Sequence, residues 1–234
     1  MITKQIKTRL FQPREKLLPF IDKYLKNLKE NSIVVVTSKI VALSEGRFVD
    51  KTDEEAKAKI IEQECEFVLQ TKYVCLTIKD GIVMANAGVD ESNGNGKIIL
   101  LPKDSFESAK KIRNHLRQKH GLKNLGVILT DSRSMPLRSG ITGVALGYAG
   151  FKGLKDYTKR SDIFDRPFHF SRVDMADSLA TSAVLCMGEG NEQCPLALIT
   201  DAPVEFCDRT NRNELKIDIE DDIYKPMFDA IGKK

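Results

Sequence analysis

The chain has 234 residues, 41% of them hydrophobic and 30% charged, which is enough to bury a core and too apolar for intrinsic disorder. Its 37 basic and 33 acidic residues leave a net charge of +4. The basic residues are spread along the sequence and form no nucleic-acid module, so the charge admits anionic small molecules without requiring a nucleic acid. Cys65, Cys75, Cys186, Cys194 and Cys207 are odd in number and form no CxxC, which sets aside a disulfide framework or a zinc site and points to reduced thiols. The segment MITKQIKTRLFQ lacks the apolar core of a signal peptide, and no apolar run approaches membrane-spanning length. A cytoplasmic protein with neither nucleic-acid nor membrane partners is expected.

In chain order, Leu17, Ile21, Tyr24, Leu25 and Leu28 give an amphipathic helix over 16–28. Ile33 to Val36 is a continuous β-branched run and predicts a buried strand. Thr52 and Glu55 make a capping box for a second helix carrying Ile60, Ile61, Val68 and Leu69. Tyr73–Ile78 and Ile82–Ala85 flank Lys79-Asp80-Gly81, a hairpin signal. The Gly- and Asn-rich stretch 86–97 predicts a loop, and Ile98–Leu101 a strand. Asp104 caps a helix that runs to about His120, with Gly121 at its C-terminal cap. Leu125–Thr130 predicts a buried strand, 131–140 a polar loop, and Thr142–Ala149 another strand. Asp174 opens a helix holding Met175, Leu179, Ala183 and Val184, and Leu196–Thr200 is a final strand. Strands and helices mix without a regular βαβ period, which predicts an α+β fold with a mixed sheet.

Several chemistries are absent. The segment ending Gly94-Asn95-Gly96-Lys97 lacks the first Gly of a Walker loop, at Glu91, and has Ile98 where Ser or Thr is required. GxGxxG, GxSxG and HExxH do not occur. His115, His120 and His169 read as surface or packing residues rather than ligands.

Four segments are able to carry chemistry. In NAGVDESN (86–93), Asp90 and Glu91 offer hard oxygen donors suited to magnesium or manganese, and Asn93 a group for a base, sugar or phosphate. The same residues would equally form a polar turn holding its own backbone. In TDSRSMPLRSG (130–140), Asp131 and Ser132 follow a buried strand, and Arg133 and Arg138 fit a phosphate or carboxylate, or else are solvated loop arginines. MGEGNE (187–192) places Glu189 between two glycines, as a free carboxylate or as a surface acid past a helix cap. In SKIVALSEGR (38–47), Ser38 and Lys39 follow the first strand; Lys39 would neutralise a phosphate and Arg47 hold an anion, or the segment is simply a helix start with exposed charges.

Taken together, IKTRL (6–10), SKIVALSEGR, NAGVDESN, LLPKD (100–104), ILTDSRSMPLRSGITGVALG (128–147), Asp162-Ile163-Phe164 and MADSLA through MGEG (175–190) resemble the CofE-like γ-glutamyl ligases. They stand in family order from about residue 5 to 206, with wording nearest the bacterial branch labelled folate-metabolism γ-glutamate ligases. The best-known member type adds glutamate to a precursor of the deazaflavin coenzyme F-420, using GTP. The resemblance implies one ligase unit over 1–234 in two interlocked subdomains, a homodimer, and two divalent ions, Mg2+ or Mn2+. It implies Asp90 and Asp131 as ligands of one ion and Ser132 and Glu189 as ligands of the other. Lys39 and Asn93, with Ser38 and the backbone of Thr8, Arg9 and Leu10, would contact the nucleotide. The chain departs from the archaeal pattern at Ser132, where Thr is usual, at Asp165-Arg166 and at Asp174.

The chemistry so implied is attack of an acceptor carboxylate on the γ-phosphate of GTP to give an acyl phosphate, then displacement of phosphate by the amine of L-glutamate. ATP in place of GTP, and a deazaflavin, a pterin or another anionic carboxylate as acceptor, all stay open. A non-catalytic nucleotide- or metal-binding regulator, and a metal-dependent phosphohydrolase, are the readings from other classes. Cover for Thr142–Ala149 and for 195–200 is expected from the second subunit.

Overall fold

The computed structural model describes residues 1–51 and 53–231. In chain order the elements are β1 (Ile2–Ile6), α1 (Leu17–Tyr24), β2 (Ser32–Thr37), α2 (Ser38–Glu45), β3 (Phe48–Asp50), α3 (Glu54–Gln63), β4 (Phe67–Gln70), β5 (Cys75–Lys79), β6 (Ile82–Ala85) and β7 (Lys97–Ile99). There follow α4 (Ser105–His120), β8 (Leu125–Ser134), β9 (Ile141–Ala149), β10 (Leu154–Asp156), β11 (Arg172–Asp174), α5 (Met175–Met187), β12 (Leu196–Thr200) and α6 (Lys225–Ile231).

The β-branched run of β2 lies at the centre of a five-stranded sheet ordered β1-β12-β2-β8-β9. β2 pairs parallel with β8 and antiparallel with β12, so the sheet is mixed and the fold is α+β. Strand periodicity explains why the run is apolar throughout. Val34 and Val36 pack with α1 and α4 through Phe20, Ile21, Ile112 and Leu116, while Ile33 and Val35 pack on the opposite side with α5 through Ala176, Leu179, Ala180 and Ala183. Both sides of β2 are therefore interior. Smaller sheets, β4-β5-β6 and β3-β7, flank the main one around Ile61, Ala87, Val89 and Ile98.

Helix ends follow local chemistry. Asp104 accepts a hydrogen bond from the Glu107 amide and Gly121 closes α4 in the left-handed region; Asp174 caps α5 by accepting from Asp177. Asp53 caps α3 by accepting from Ala56, and Thr52, expected in a capping box there, lies outside the described residues. α3 ends at Gln63, so Val68 and Leu69 are strand residues rather than helix residues. The Phe67–Gln70 run satisfies its backbone by pairing with β5. The 16–28 helix is shorter than its apolar pattern: it stops at Tyr24, and Leu25 and Leu28 reach the core from the loop.

The polar segment after Thr130 is not a loop. β8 continues to Ser134, because Asp131 to Ser134 keep antiparallel partners in β9, after a bulge at Leu129/Thr130. The cover expected from a second chain is also supplied within the chain. Gly143 of β9 comes so close to α5 that a Cβ there would lie 2.5 Å from the Ala180 carbonyl carbon. The other side of β9 meets the start of α4, and β12 is flanked by β1 and β2. Among the described residues no helix is long and apolar enough to cross a membrane.

Candidate functional site

Five sequence segments meet at the C-terminal end of β2 and the adjoining part of β8. The chain leaves β2 directly into α2, which sets Lys39 in the first turn of that helix. β8 carries Asp131 and Ser132 past the end of its parallel partner. α5 ends at Met187 and delivers Glu189 on the following turn, and β1 leads to Thr8. The cavity so formed has a volume of about 270 Å³ and is lined by Thr8, Arg9, Leu10, Lys39, Asn93, Asp131, Ser132 and Glu189, among others. Its apolar wall comes from Phe11, Ile40, Leu43, Ile99, Val184 and Met187. An apolar wall with a few convergent charged groups is the usual make-up of a small-molecule site.

The loop carrying Asp90 is anchored by its backbone. Asp90 exchanges amide hydrogen bonds with Ile99 at the end of β7, at 3.0 and 2.8 Å. Its carboxylate then meets the Lys39 ammonium at 2.6 Å and accepts from the Ser92 hydroxyl and amide at 2.7 Å each. Lys39 also donates to Ser92 Oγ at 2.7 Å. Burial opposes ionisation of Asp90, but the ammonium and the two Ser92 hydrogen bonds outweigh it and hold the carboxyl below its usual range. Asp131 is in the opposite situation. Desolvation first, and then repulsion from Asp90 and Glu189, push its carboxyl up to about 7 against the pull of the Ser132 amide and Lys39. Ser132 donates to Glu189 Oε2 at 3.3 Å.

Asn93 adopts positive φ and donates its side-chain amide to the Gly190 carbonyl at 3.2 Å, tying the Asp90 loop to the Glu189 loop. Thr8 donates its amide to Gln193 at 2.9 Å and its hydroxyl to the Arg9 carbonyl at 2.7 Å. The Arg9 guanidinium is paired with Glu15 and lies over the Phe20 ring, and Leu10 is exposed.

Some residues singled out in the sequence lie elsewhere. Ser38 is buried in the start of α2 and does not line the cavity. Glu91, next to Asp90, is held by Lys57 at 2.6 Å and Lys51 at 2.9 Å. Arg47 is committed to Glu64 at 2.6 Å and to the Leu101 carbonyl, so it holds the β3-β7 region to the core and not a ligand anion. Arg133 pairs with Asp177 of α5 at 2.8 Å. Of the histidines, His115 contacts Asp22 at 2.9 Å. Ser92 and Glu192 carry no signal of their own in the sequence beyond their motifs. Their roles depend on which loop they face, and spacing along the chain does not encode that.

Asp90, Asp131, Glu189 and the Ser132 hydroxyl could offer oxygen donors of the hard kind that magnesium and manganese prefer. The Asp90 and Asp131 carboxyls both lie near the Lys39 ammonium, and their oxygens are donors such an ion would take. The described residues do not, however, gather three His, Cys, Asp or Glu side chains into a ready-made cage.

A cavity that sets acids, a hydroxyl and a lysine against an apolar wall, at the strand ends of an α+β sheet, is built as an enzyme active site. The chain belongs to the F420-0:gamma-glutamyl ligase family, whose model matches residues 5–201. It is 36% identical over 227 residues to the coenzyme F420:L-glutamate ligase of Methanococcus maripaludis strain C7, an alignment covering 89% of this chain and 90% of the relative. The enzyme of the same name from Methanocaldococcus jannaschii is 32% identical over 212 residues, covering 83% of this chain and 85% of the relative. That from Archaeoglobus fulgidus is 30% identical over 189 residues, covering 73% and 76%.

Proposed function

We propose that this chain is a GTP- and divalent-metal-dependent γ-glutamyl ligase that couples the amine of L-glutamate to the carboxylate of an anionic acceptor. Family membership supports the amide-forming reaction, and the named relatives act on glutamate and coenzyme F420. The observation that carries the metal dependence is the convergence of Asp131, Ser132 and Glu189 on one cavity wall beside the Lys39–Asp90 pair, with the Asp131 carboxyl raised chiefly by burial. Such a site is electrostatically incomplete without a cation or a proton.

In this reading Asp90 and Asp131 would hold one Mg2+ or Mn2+ and Ser132 and Glu189 a second, which would supply positive charge to offset that of the nucleotide phosphates. Lys39 supplies a compact ammonium at the same end of the cavity. The acceptor carboxylate attacks the γ-phosphorus, the bond to the bridging oxygen breaks, and GDP leaves. The glutamate amine then attacks the acyl carbon, loses a proton, and expels inorganic phosphate. Packing of the acceptor against the apolar wall would disfavour hydrolysis of the acyl phosphate by water. A deazaflavin precursor is the first acceptor to test, with a pterin of the folate type second. The active species is proposed to be a homodimer.

Purified protein incubated with Mn2+, GTP, L-glutamate and each acceptor, followed by mass spectrometry, tests the reading. The expected product is the acceptor plus one glutamyl residue, formed only with nucleotide. Phosphate release without glutamate would favour a phosphohydrolase, and nucleotide binding without turnover a regulator.

A further inference from the structure

The turn that carries Glu189 has little of its own to hold it. It lies between Gly188 and Gly190, and Gly188 has φ 79° and ψ 171°, a region essentially restricted to glycine. A backbone of this kind samples many orientations unless something fixes it. Glu192 supplies that restraint. Its Oε2 accepts from the Gly190 amide at 2.8 Å, and its carboxylate packs against Gly188 so closely that a Cβ there would lie 2.3 Å from Glu192 Cδ. On the other side of the same residue, in the next peptide unit, Asn93 donates to the Gly190 carbonyl at 3.2 Å. The residue after Glu189 is thus fixed at both its amide and its carbonyl, by two different loops.

We propose that Glu192 is a positioning residue, which clamps the 188–190 turn so that the Glu189 carboxylate faces Ser132 and the cavity. Glu192 acts through backbone geometry. It accepts one hydrogen bond and fills the space beside Gly188, and both tasks need an sp² oxygen at that distance rather than a negative charge. A glutamine there retains the acceptor and the shape; an alanine loses both. The consequence for cation binding rests on the assignment of Glu189 to a metal. The clamp itself does not.

Glu192→Ala and Glu192→Gln, compared with the unaltered protein, test both levels. Amide hydrogen exchange of the peptide spanning 187–193 reads the clamp without any metal. Faster exchange in Glu192→Ala, with protection regained in Glu192→Gln, is expected. Mn2+ affinity, followed by electron paramagnetic resonance of the free ion, reads the consequence. Partners that orient a metal ligand typically contribute about 10- to 100-fold in affinity, and a loss of that order is expected in Glu192→Ala, with most of it recovered in Glu192→Gln. Equal loss in both variants would show that the charge of Glu192 acts directly and would overturn the proposal. So would unchanged exchange in Glu192→Ala; altered exchange with unchanged Mn2+ affinity would support the clamp and count against Glu189 as a metal ligand. Failure of the unaltered protein to bind Mn2+ would remove the metal reading of Glu189, and the exchange result alone would then decide whether the clamp exists.

Discussion

Lys39 Nζ lies 2.6 Å from Asp90 Oδ2, so the ammonium stands where a cation compensates that carboxylate. The two residues come from segments far apart in sequence, one opening α2 and the other preceding β7. Binding of a triphosphate would draw the same ammonium toward a second anion.

Lys39→Ala is therefore expected to raise the nucleotide Michaelis constant by roughly tenfold or more, on the scale of the ~1.5–3 kcal/mol of a charge-assisted hydrogen bond. Lys39→Arg should rescue only in part, because a planar fork does not reproduce a compact ammonium. The pair is partly solvent-exposed, so the change in folding stability should be about 1 kcal/mol or less. Steady-state kinetics with varied GTP decide the point, and unchanged nucleotide kinetics would take Lys39 out of the site.

Asp131 makes stability depend on pH in a defined sense. A carboxyl raised to about 7 in the fold stays protonated there while the unfolded chain ionises at its ordinary value. Its contribution thus falls as pH rises from about 4 to about 7 and is level above that. Asp174, raised to about 6 by burial and by Asp177, acts in the same direction, so the comparison must be with Asp131→Asn. In metal-free buffer Asp131→Asn should equal the unaltered protein near pH 4 and exceed it in thermal midpoint at pH 8. Mn2+ should close that gap in the unaltered protein only, and turnover should be lost in the variant. A parallel pH dependence of the two proteins would refute the account.

Gly143 lets the backbone of α5 approach β9, and α5 leads directly to Glu189. A Cβ at this position meets backbone, which cannot swing aside. Gly143→Ala should cost about 1–3 kcal/mol, equivalent to lowering the thermal midpoint by roughly 2–12 °C. A midpoint unchanged in calorimetry would mean that the helix does not sit against the strand as described.

The large apolar residues left exposed, among them Leu137 beyond β8 and Ile163, Phe164 and Phe170 between β10 and β11, are the surface that the proposed homodimer would have to cover. An obligate dimer should sediment at twice the monomer mass of 26.3 kDa at micromolar concentration, and its unfolding midpoint should rise with concentration. An active species at the monomer mass would rule it out.

Features with a short-range physical cause are legible in the amino-acid sequence. The burial of β2 on both faces follows from its continuous β-branched run. The limits of α4 follow from Asp104 and Gly121, and the hairpin of β5 and β6 from Asp80-Gly81. The ordered motifs also identified Asp90, Asp131, Ser132, Glu189, Lys39 and Asn93 as candidates, and the fold brings all but Asp90 directly onto one cavity, with Asp90 joined to it through Lys39. Pairing across the sheet was decided elsewhere. β8 runs on through a polar stretch because β9 satisfies its backbone, and Phe67–Gln70 is a strand because β5 lies beside it. Tertiary structure also separated Asp90 from Glu91, adjacent in sequence and alike in chemistry. Asp90 faces Lys39 at the cavity, whereas Glu91 is held by Lys51 and Lys57 outside it. The charge a carboxyl carries, and the cation it meets, are set by neighbours from distant segments, and only the folded chain fixes those distances.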